Sequence, residues 1–225
     1  MSSEIAVVIA AAGEGRRMKR YGPKALIPLK DGRTVVRRQI DVVRQSYPGA
    51  DVVVVVGHDA ERVVKTLPSG VRVVENERHE QTSVVRSIGL GLRATAADRV
   101  LVVYGDLVFN RPAVAELPQA SCLLVDRSGQ VPAGEVGVTL DGDVVVHLDY
   151  GLPVKWASIA MLTGRELHLM KAVCSRKDRH RVLTYEVLNE VIDRGGVLTA
   201  AECKKLAIVD IDCSQDVARA AGVGA

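Results

Sequence analysis

Gly13-Glu14-Gly15-Arg16-Arg17, followed by Pro23-Lys24, combines residue types suited to holding a polyanion. Glycines let a backbone approach a ligand closely, and successive free N–H groups in such a turn form a concavity for anions. Arg16 and Arg17 offer guanidinium forks, and Lys24 offers a compact ammonium. A triphosphate would find all of these within one loop. The turn follows Ile5-Ala6-Val7-Val8-Ile9, a short β-branched run that reads as a buried strand, and three alanines, Ala10 to Ala12. A strand followed by Gly-x-Gly is common in α/β proteins and does not by itself mark a phosphate site. No Gly-Lys-Ser/Thr follows, so this is not a Walker A loop. Met18 stands where the dinucleotide fingerprint has its third glycine.

Acids at two distant places could complete the chemistry. Asp106 ends the run VLVVYGD, and Gly105 before it would let the chain turn beside a ligand. Near the end of the chain, LAIVDIDCSQDVARA carries Asp210, Asp212 and Asp216. Each has a plainer reading: Asp106 can cap a turn, and the three later acids can be solvated groups around another. Gln81, Thr82 and Ser83, with QTSVVRSIGLGL, offer polar groups at the start of a helix, where Ser83 can also act only as an N-cap.

The elements that must position these residues alternate. Thr34 to Ser46 has helical apolar spacing, with Thr34 as N-cap and Tyr47-Pro48-Gly49 as the stop. Val52 to Val56 is a five-valine run expected of a strand buried on both faces. Asp59 to Leu67 reads as a helix, Val71 to Val74 as a third strand, a further helix starts at Thr82 or Ser83, and Arg99 to Tyr104 is a fourth strand. This alternation argues a doubly wound, mostly parallel α/β sheet with helices on both faces. Ligands sit beyond the carboxyl ends of strands in such sheets, where the glycine turn, the segment before Ser83 and Gly105-Asp106 all fall.

Later in the chain, Ser121 to Val125 and Glu135 to Leu148 look antiparallel, with Asp141-Gly142-Asp143 as a hairpin turn. Lys155 to Leu162 reads as a strand, Glu166 to Cys174 and His180 to Arg194 as helices, and Leu206 to Ile211 as a last strand. Ser214 can cap a final helix, with Asp216 near its positive end.

The whole pattern of strand, A-A-G-x-G-x-R-M, four residues, then P-K-x-L, resembles the signature of nucleotidyltransferases that activate sugar phosphates, phosphocholine and related alcohols with a nucleoside triphosphate. Arg16 stands where that family more usually has Thr or Ser. The resemblance is closest to cytidylyltransferases of the phosphocholine type, whose E-I-D-x-x-x-D segment is similar to DIDCSQD here, with Asp210 in place of Glu. It implies a Rossmann-like, GT-A-like nucleotidyltransferase fold spanning residues 1–225 as one domain. Residues 1–110 would bind nucleotide, 111–205 would form a small antiparallel acceptor-binding subregion, and 206–225 would carry a metal-ligand strand and a C-terminal helix. It further implies Mg2+ held by Asp106 and Asp212, with Arg17 and Lys24 as catalytic residues. Ala11, Ala12, Gly13, Glu14, Gly15, Arg16, Gln81, Thr82, Ser83 and Gly105 would bind the nucleotide, with CTP favoured. The specific motifs cover about the first half of the chain and its last fifteen or so residues.

The acceptor is less constrained. A choline cation is usually held by an aromatic cage, yet only 3% of residues are aromatic. Trp156 and Lys155 are the acceptor candidates, and a cationic Lys155 suits a small phosphate or phosphonate. Two relatives in the same fold are alternatives: a sugar-1-phosphate nucleotidyltransferase using UTP, dTTP or GTP, and a transferase acting on a molybdenum cofactor precursor. The latter more typically shows A-G-G-x-S-x-R-M and an Asn near its end. A catalytically silent nucleotide-binding module is the third, although Arg17, Lys24, Asp106 and Asp212 together exceed what binding needs.

Composition sets outer bounds. The 225 residues are 48% hydrophobic, enough for a sizeable core. A net charge of +3 with 25% charged residues argues against a dedicated nucleic-acid surface. Cys122, Cys174, Cys203 and Cys213 are scattered and expected as free thiols of a cytoplasmic protein. No membrane segment is expected, and the sequence leaves open whether the chain forms a homodimer.

Overall fold

The structure is a computed structural model that describes residues 4–15 and 22–224. Its nine-stranded sheet has a parallel part and an antiparallel part. Strand β1 (Ile5–Ala10) lies between β2 (Asp51–Val56) and β4 (Arg99–Tyr104), and β3 (Arg72–Glu75) adds beyond β2. These four run parallel in the order β3-β2-β1-β4. The crossovers turn one way from β1 to β3 and the other way to β4, so the switch point falls between β1 and β4. A ligand crevice is expected outside the strand ends there.

Beyond β4 the direction reverses. Strand β9 (Val154–Thr163) pairs antiparallel with β4 and with β6 (Cys122–Asp126), and β10 (Thr199–Glu202) runs parallel to β6. The hairpin β7 (Val136–Asp141) and β8 (Val144–Tyr150) turns at Gly142, whose φ of +58° suits glycine. The parallel character is thus confined to the first four strands and the β6–β10 pair. The antiparallel strands continue the same sheet rather than forming a separate one.

Every residue of β1 is buried, as its unbroken apolar run requires of a central strand. Ala6 and Val8 face one core with Val53, Val55, Val100 and Val102, covered by α3 (Val84–Arg93), α5 (Gly164–Ser175) and α6 (Thr184–Asp193). Val7 and Ile9 face the other with Val52, Val54, Leu101 and Val103, covered by α1 (Val35–Ser46) and α2 (Ala60–Val64). The period of two along the strands therefore separates two apolar layers.

Helix starts follow the side chains available. Thr34 caps α1 by accepting from Arg37 N–H, and Ser83 caps α3 by accepting from Val85 N–H. The helix expected over Asp59 to Leu67 begins only at Ala60, because Asp59 holds a left-handed φ of +50°. That expected from His180 begins at Thr184, after a 3-10 turn at Lys177–Arg179. Short α4 (Pro112–Ala115) follows a second, separate ribbon, in which β5 (Leu107–Phe109) pairs antiparallel with β11 (Ile208–Asp210). The last helix, α7 (Ser214–Ala220), is capped one residue earlier than expected, at Cys213. All four cysteines are free thiols. Among the described residues no helix is long and apolar enough to cross a membrane.

Candidate active site

The β5–β11 ribbon explains why acids a hundred residues apart meet. Leu107 pairs with Asp210, and Ile211 N–H donates to the Asp106 carbonyl at 3.0 Å. Asp106, Asp210 and Asp212 thereby bring carboxylate oxygens within 4.8 Å of one another. Buried Ile27, Val108, Ile211 and Ala220 form a third apolar cluster that clamps the ribbon and α7 against the segment after Lys24. Asp216 fixes the bend between β11 and α7 by accepting from the N–H groups of Asp212, at 2.8 Å, and Cys213, at 2.7 Å. It also pairs with Arg219.

Lys24 enters this cluster from the other end of the chain. Pro23 precedes the 3-10 turn Lys24–Leu26, and its carbonyl accepts from Leu26 N–H at 2.9 Å. The Lys24 Nζ donates to Asp106 Oδ2 at 2.9 Å and to Asp212 Oδ1 at 2.6 Å. Burial would lower the lysine's pKa, but the facing Asp106 and Asp212 carboxylates outweigh it and hold the pKa above the ordinary value. Asp210 shows the opposite imbalance. Burial, with Asp106 beside it, pushes its carboxyl up to about 7.

Two buried oxygens in the cluster, Asp106 Oδ1 and Asp210 Oδ1, have no hydrogen-bond partner among the described residues. Buried polar atoms are normally satisfied, so these two await a donor or a cation. An all-carboxylate set of this kind fits a hard divalent cation such as magnesium, which takes one or two carboxylates and completes its shell with phosphate and water. Lys24 puts one positive charge among three acids, which leaves room electrostatically for such an ion.

A cavity of about 450 Å³ runs from this cluster between the ends of β1 and β4 to the start of α3. Its floor is Ala11, Ala12, Gly13 and Gly15, with Gly105 opposite. Close packing at the switch point depends on Gly105, since a Cβ there would lie 2.7 Å from the Ala10 carbonyl and from Ala11 Cα. Thr82 and Ser83 line the far end. Their hydroxyls are already used as donors: Thr82 to the Arg78 carbonyl at 2.9 Å, Ser83 to the Val182 carbonyl at 2.6 Å. What they present to the cavity is acceptor lone pairs.

Other candidate residues fall elsewhere. Gln81 is exposed, accepts from Arg78 at 3.2 Å and does not line the cavity. Lys155 pairs with Glu135 at 3.1 Å. Trp156 is buried and packs edge-on against Tyr104 with ring centroids 5.8 Å apart, one layer behind the cavity wall that Tyr104 forms. Glu14 lies in the glycine turn and comes near His58 and His79 instead of the carboxylates. Arg16 and Arg17 lie outside the described residues.

Sequence reading missed Asn76, His79, Ser87 and Tyr104, all of which line the cavity. Asn76 is buried and donates from Nδ2 to Thr82 Oγ1 and Ser87 Oγ, both at 3.1 Å. Ser87 follows Ser83 by one helical turn, and that spacing was a readable signal. Nothing in the local sequence marks Asn76 as buried.

Comparison with known proteins shows the family and the fold. A model of the MobA-like NTP transferase domain matches residues 7–137. The bifunctional protein GlmU of Alcanivorax borkumensis is 32% identical over 178 residues, covering 77% of this chain and 38% of that protein. GlmU of Paraburkholderia xenovorans is 36% identical over 135 residues, covering 60% of this chain and 28% of that one. The chain thus spans well under half the length of these relatives. Among solved structures, the inositol-1-phosphate CTP transferase from T. maritima superposes with a TM-score of 0.78 at 19% identity, covering 100% of this chain and 99% of that one. The CTP:phosphocholine cytidylyltransferase of Streptococcus pneumoniae gives 0.77 at 17% identity, covering 97% and 98%. Those two likenesses concern the fold. The family match spans more than half of the sequence, and the chain belongs to the MobA-like NTP transferase domain family.

Proposed function

We propose that the chain transfers a nucleoside monophosphate, CMP from CTP, to a small phosphate-bearing acceptor and releases pyrophosphate. The observation that carries this reading is the meeting of Lys24, Asp106 and Asp212 at one end of a glycine-floored cavity whose other end is polar. An oxygen of the acceptor phosphate attacks the α-phosphorus in line. A new O–P bond forms as the bond to the β-phosphate oxygen breaks, and pyrophosphate leaves with that electron pair. An anion attacking an anion needs alignment and charge neutralisation more than proton transfer. No histidine is required in the step.

Asp106 and Asp212 would hold magnesium, with Asp210 beside them. Bound there, the ion supplies positive charge against the phosphates. The N–H groups of the glycine turn receive the triphosphate. Arg17 is assigned to the β- and γ-phosphates, and Lys24, released from its carboxylates, to the charge that builds at the α-phosphorus.

Preference for cytosine is supported by the acceptors at the far end. Thr82 and Ser83 spend their protons on backbone carbonyls. A base offering an exocyclic amino group there gains a partner, whereas the uracil or thymine oxygen meets lone pair against lone pair. The acceptor is read as a phosphate or phosphonate. A second reading, a sugar 1-phosphate as acceptor with UTP, dTTP or GTP, is favoured by the fold shared with a putative glucose-1-phosphate thymidylyltransferase from Bacillus anthracis.

Pyrophosphate release measured with each nucleoside triphosphate, across a panel of sugar 1-phosphates, phospho-alcohols and phosphonates, tests the proposal. Turnover with CTP and a non-sugar phosphate is the expected result. Turnover confined to UTP or dTTP with a sugar 1-phosphate would establish the second reading.

A further inference from the structure

Apart from the carboxylates, one other cluster of metal-ligating side chains occurs among the described residues. Glu14, His58 and His79 each place a ligand atom within 4.8 Å of the other two. They come from the carboxyl ends of three neighbouring parallel strands: Glu14 follows β1, His58 follows β2, and His79 follows β3. The backbone sets two of them firmly. His58 N–H donates to the Ala12 carbonyl at 3.1 Å, and His79 N–H donates to the Asn76 carbonyl at 3.0 Å. Gly57 permits this approach, since a Cβ on it would lie 2.8 Å from both the Ala12 carbonyl and His79 Cβ. The two imidazoles meet edge-on with centroids 5.8 Å apart.

A second observation points to a ligand. His79 Nδ1 is buried and has no hydrogen-bond partner among the described residues. A buried imidazole nitrogen is ordinarily bonded, and here none of the described residues occupies it. Two imidazoles and one carboxylate form a donor set for a borderline divalent cation such as zinc, with a fourth position left for water or another ligand. Ligand atoms around a tetrahedral zinc stand roughly 3.3 Å apart at bond lengths near 2.0–2.1 Å. Drawing the three donors in from their present separations takes a movement on the order of 1 Å. Glu14 sits between Gly13 and Gly15, the latter at φ +63°, so the moving ligand is the one on the most adaptable backbone.

We propose that Glu14, His58 and His79 form a second metal site, distinct in chemistry from the carboxylate cluster, that binds zinc and fastens the glycine turn to the ends of β2 and β3. The two sites separate by hardness: oxygen-only Asp106, Asp210 and Asp212 suit magnesium, and the histidine site suits zinc or cobalt.

The test is zinc calorimetry and cobalt(II) visible absorption on tag-free protein in millimolar magnesium, which keeps the carboxylate cluster occupied. Wild type should take up one equivalent of zinc with micromolar or tighter affinity, and cobalt should give the absorption of a low-coordinate site. His58→Gln and Glu14→Gln, each checked for fold by circular dichroism, should weaken zinc by at least about tenfold, since loss of even an outer-shell partner costs roughly that much. Asp106→Asn and Cys213→Ser should leave zinc affinity unchanged. The proposal is overturned if wild type binds no zinc, if both histidine-site variants bind within threefold of wild type, or if Asp106→Asn removes the zinc instead.

Discussion

The Lys24 ammonium lies 2.6 Å from the Asp212 carboxylate, a residue 188 positions further along the chain. Packing of Ile27 and Ile211 in one apolar cluster holds the two backbones that carry them together. The ion pair is therefore a product of the core, and it sits at the mouth of the cavity with Lys24 half-buried. A nucleotide and its metal would compete for both partners at once.

That competition gives the first prediction. Lys24→Ala should lower kcat by on the order of a hundredfold, the scale of losing one preorganised electrostatic contact in the transition state. Triphosphate affinity should fall much less, because the glycine turn, Arg17 and magnesium remain. Lys24→Arg should not restore the rate, since a planar fork cannot occupy the same point. Single-turnover transfer beside triphosphate binding distinguishes the outcomes. Collapse of binding with an unchanged saturated rate would show that Lys24 only anchors the nucleotide.

Much of this site was legible because its parts obey local rules. The strand, the glycine turn and Pro23-Lys24 form one continuous signal, and Asp106 is marked by an apolar strand ending in Gly-Asp. Asp212 was recognisable only through a family resemblance, because its approach to Asp106 depends on the β5–β11 ribbon, a pairing between residues a hundred positions apart. The reversal of sheet direction at β9 was equally hidden: a mostly apolar ten-residue strand reads the same in either orientation. Asn76 could not be found for a third reason. A buried amide is defined by what surrounds it, and its partners Thr82 and Ser87 arrive from the next helix.

Metal dependence is the second prediction. Asp106→Ala and Asp212→Ala should each abolish pyrophosphate release while leaving thermal unfolding cooperative. Removing either acid also reduces repulsion among the carboxylates, so neither variant should be much less stable than wild type without magnesium. Near-normal turnover in either variant at excess magnesium would remove that residue from the ligand set.

Base choice can be read without turnover. CTP with magnesium should raise the unfolding temperature more than UTP, ATP or GTP at equal concentration, because a ligand stabilises the folded state by an amount that grows with the logarithm of its concentration relative to Kd. A larger shift with UTP or dTTP would move the reading to the sugar-phosphate branch while keeping the family.

Asp216 should act on activity through position alone. Its carboxylate is buried, yet Arg219 and the N–H groups of Asp212 and Cys213 hold its pKa down at about 2. Asp216→Ala removes the acceptor that fixes the Asp212 backbone, at a cost near 1 kcal/mol for a lost helix cap. The apparent affinity for magnesium should weaken, and saturating magnesium should recover most of the rate. A magnesium titration of turnover checks this; a rate loss that no magnesium concentration restores would give Asp216 a direct part in the chemistry.

Asn76 offers the sharpest separation between positioning and transfer. It is 2% exposed, and its amide nitrogen bridges Thr82 Oγ1 and Ser87 Oγ while its oxygen accepts from Arg78 N–H at 3.3 Å. The amide ties the end of β3 to the first turn of α3, where the far wall of the cavity begins. Asn76→Ala would strand a backbone N–H and leave two hydroxyls without a donor, a loss of about 1–3 kcal/mol. For a chain of this size that corresponds to a fall of roughly 2–12 °C in Tm. Asn76 is far in sequence and in the cavity from Lys24 and the carboxylates, so the reacting phosphates should be held as before once nucleotide is bound. The KM for CTP should therefore rise several-fold with kcat nearly unchanged. Discrimination between CTP and UTP should narrow as well, because Thr82 Oγ1 loses the Asn76 donor that fixes it and its acceptor lone pairs are aimed at the base less firmly. Steady-state kinetics with both nucleotides, run beside thermal unfolding, tests each part. A large fall in kcat with an unaltered KM would place Asn76 with the reacting groups and the base elsewhere.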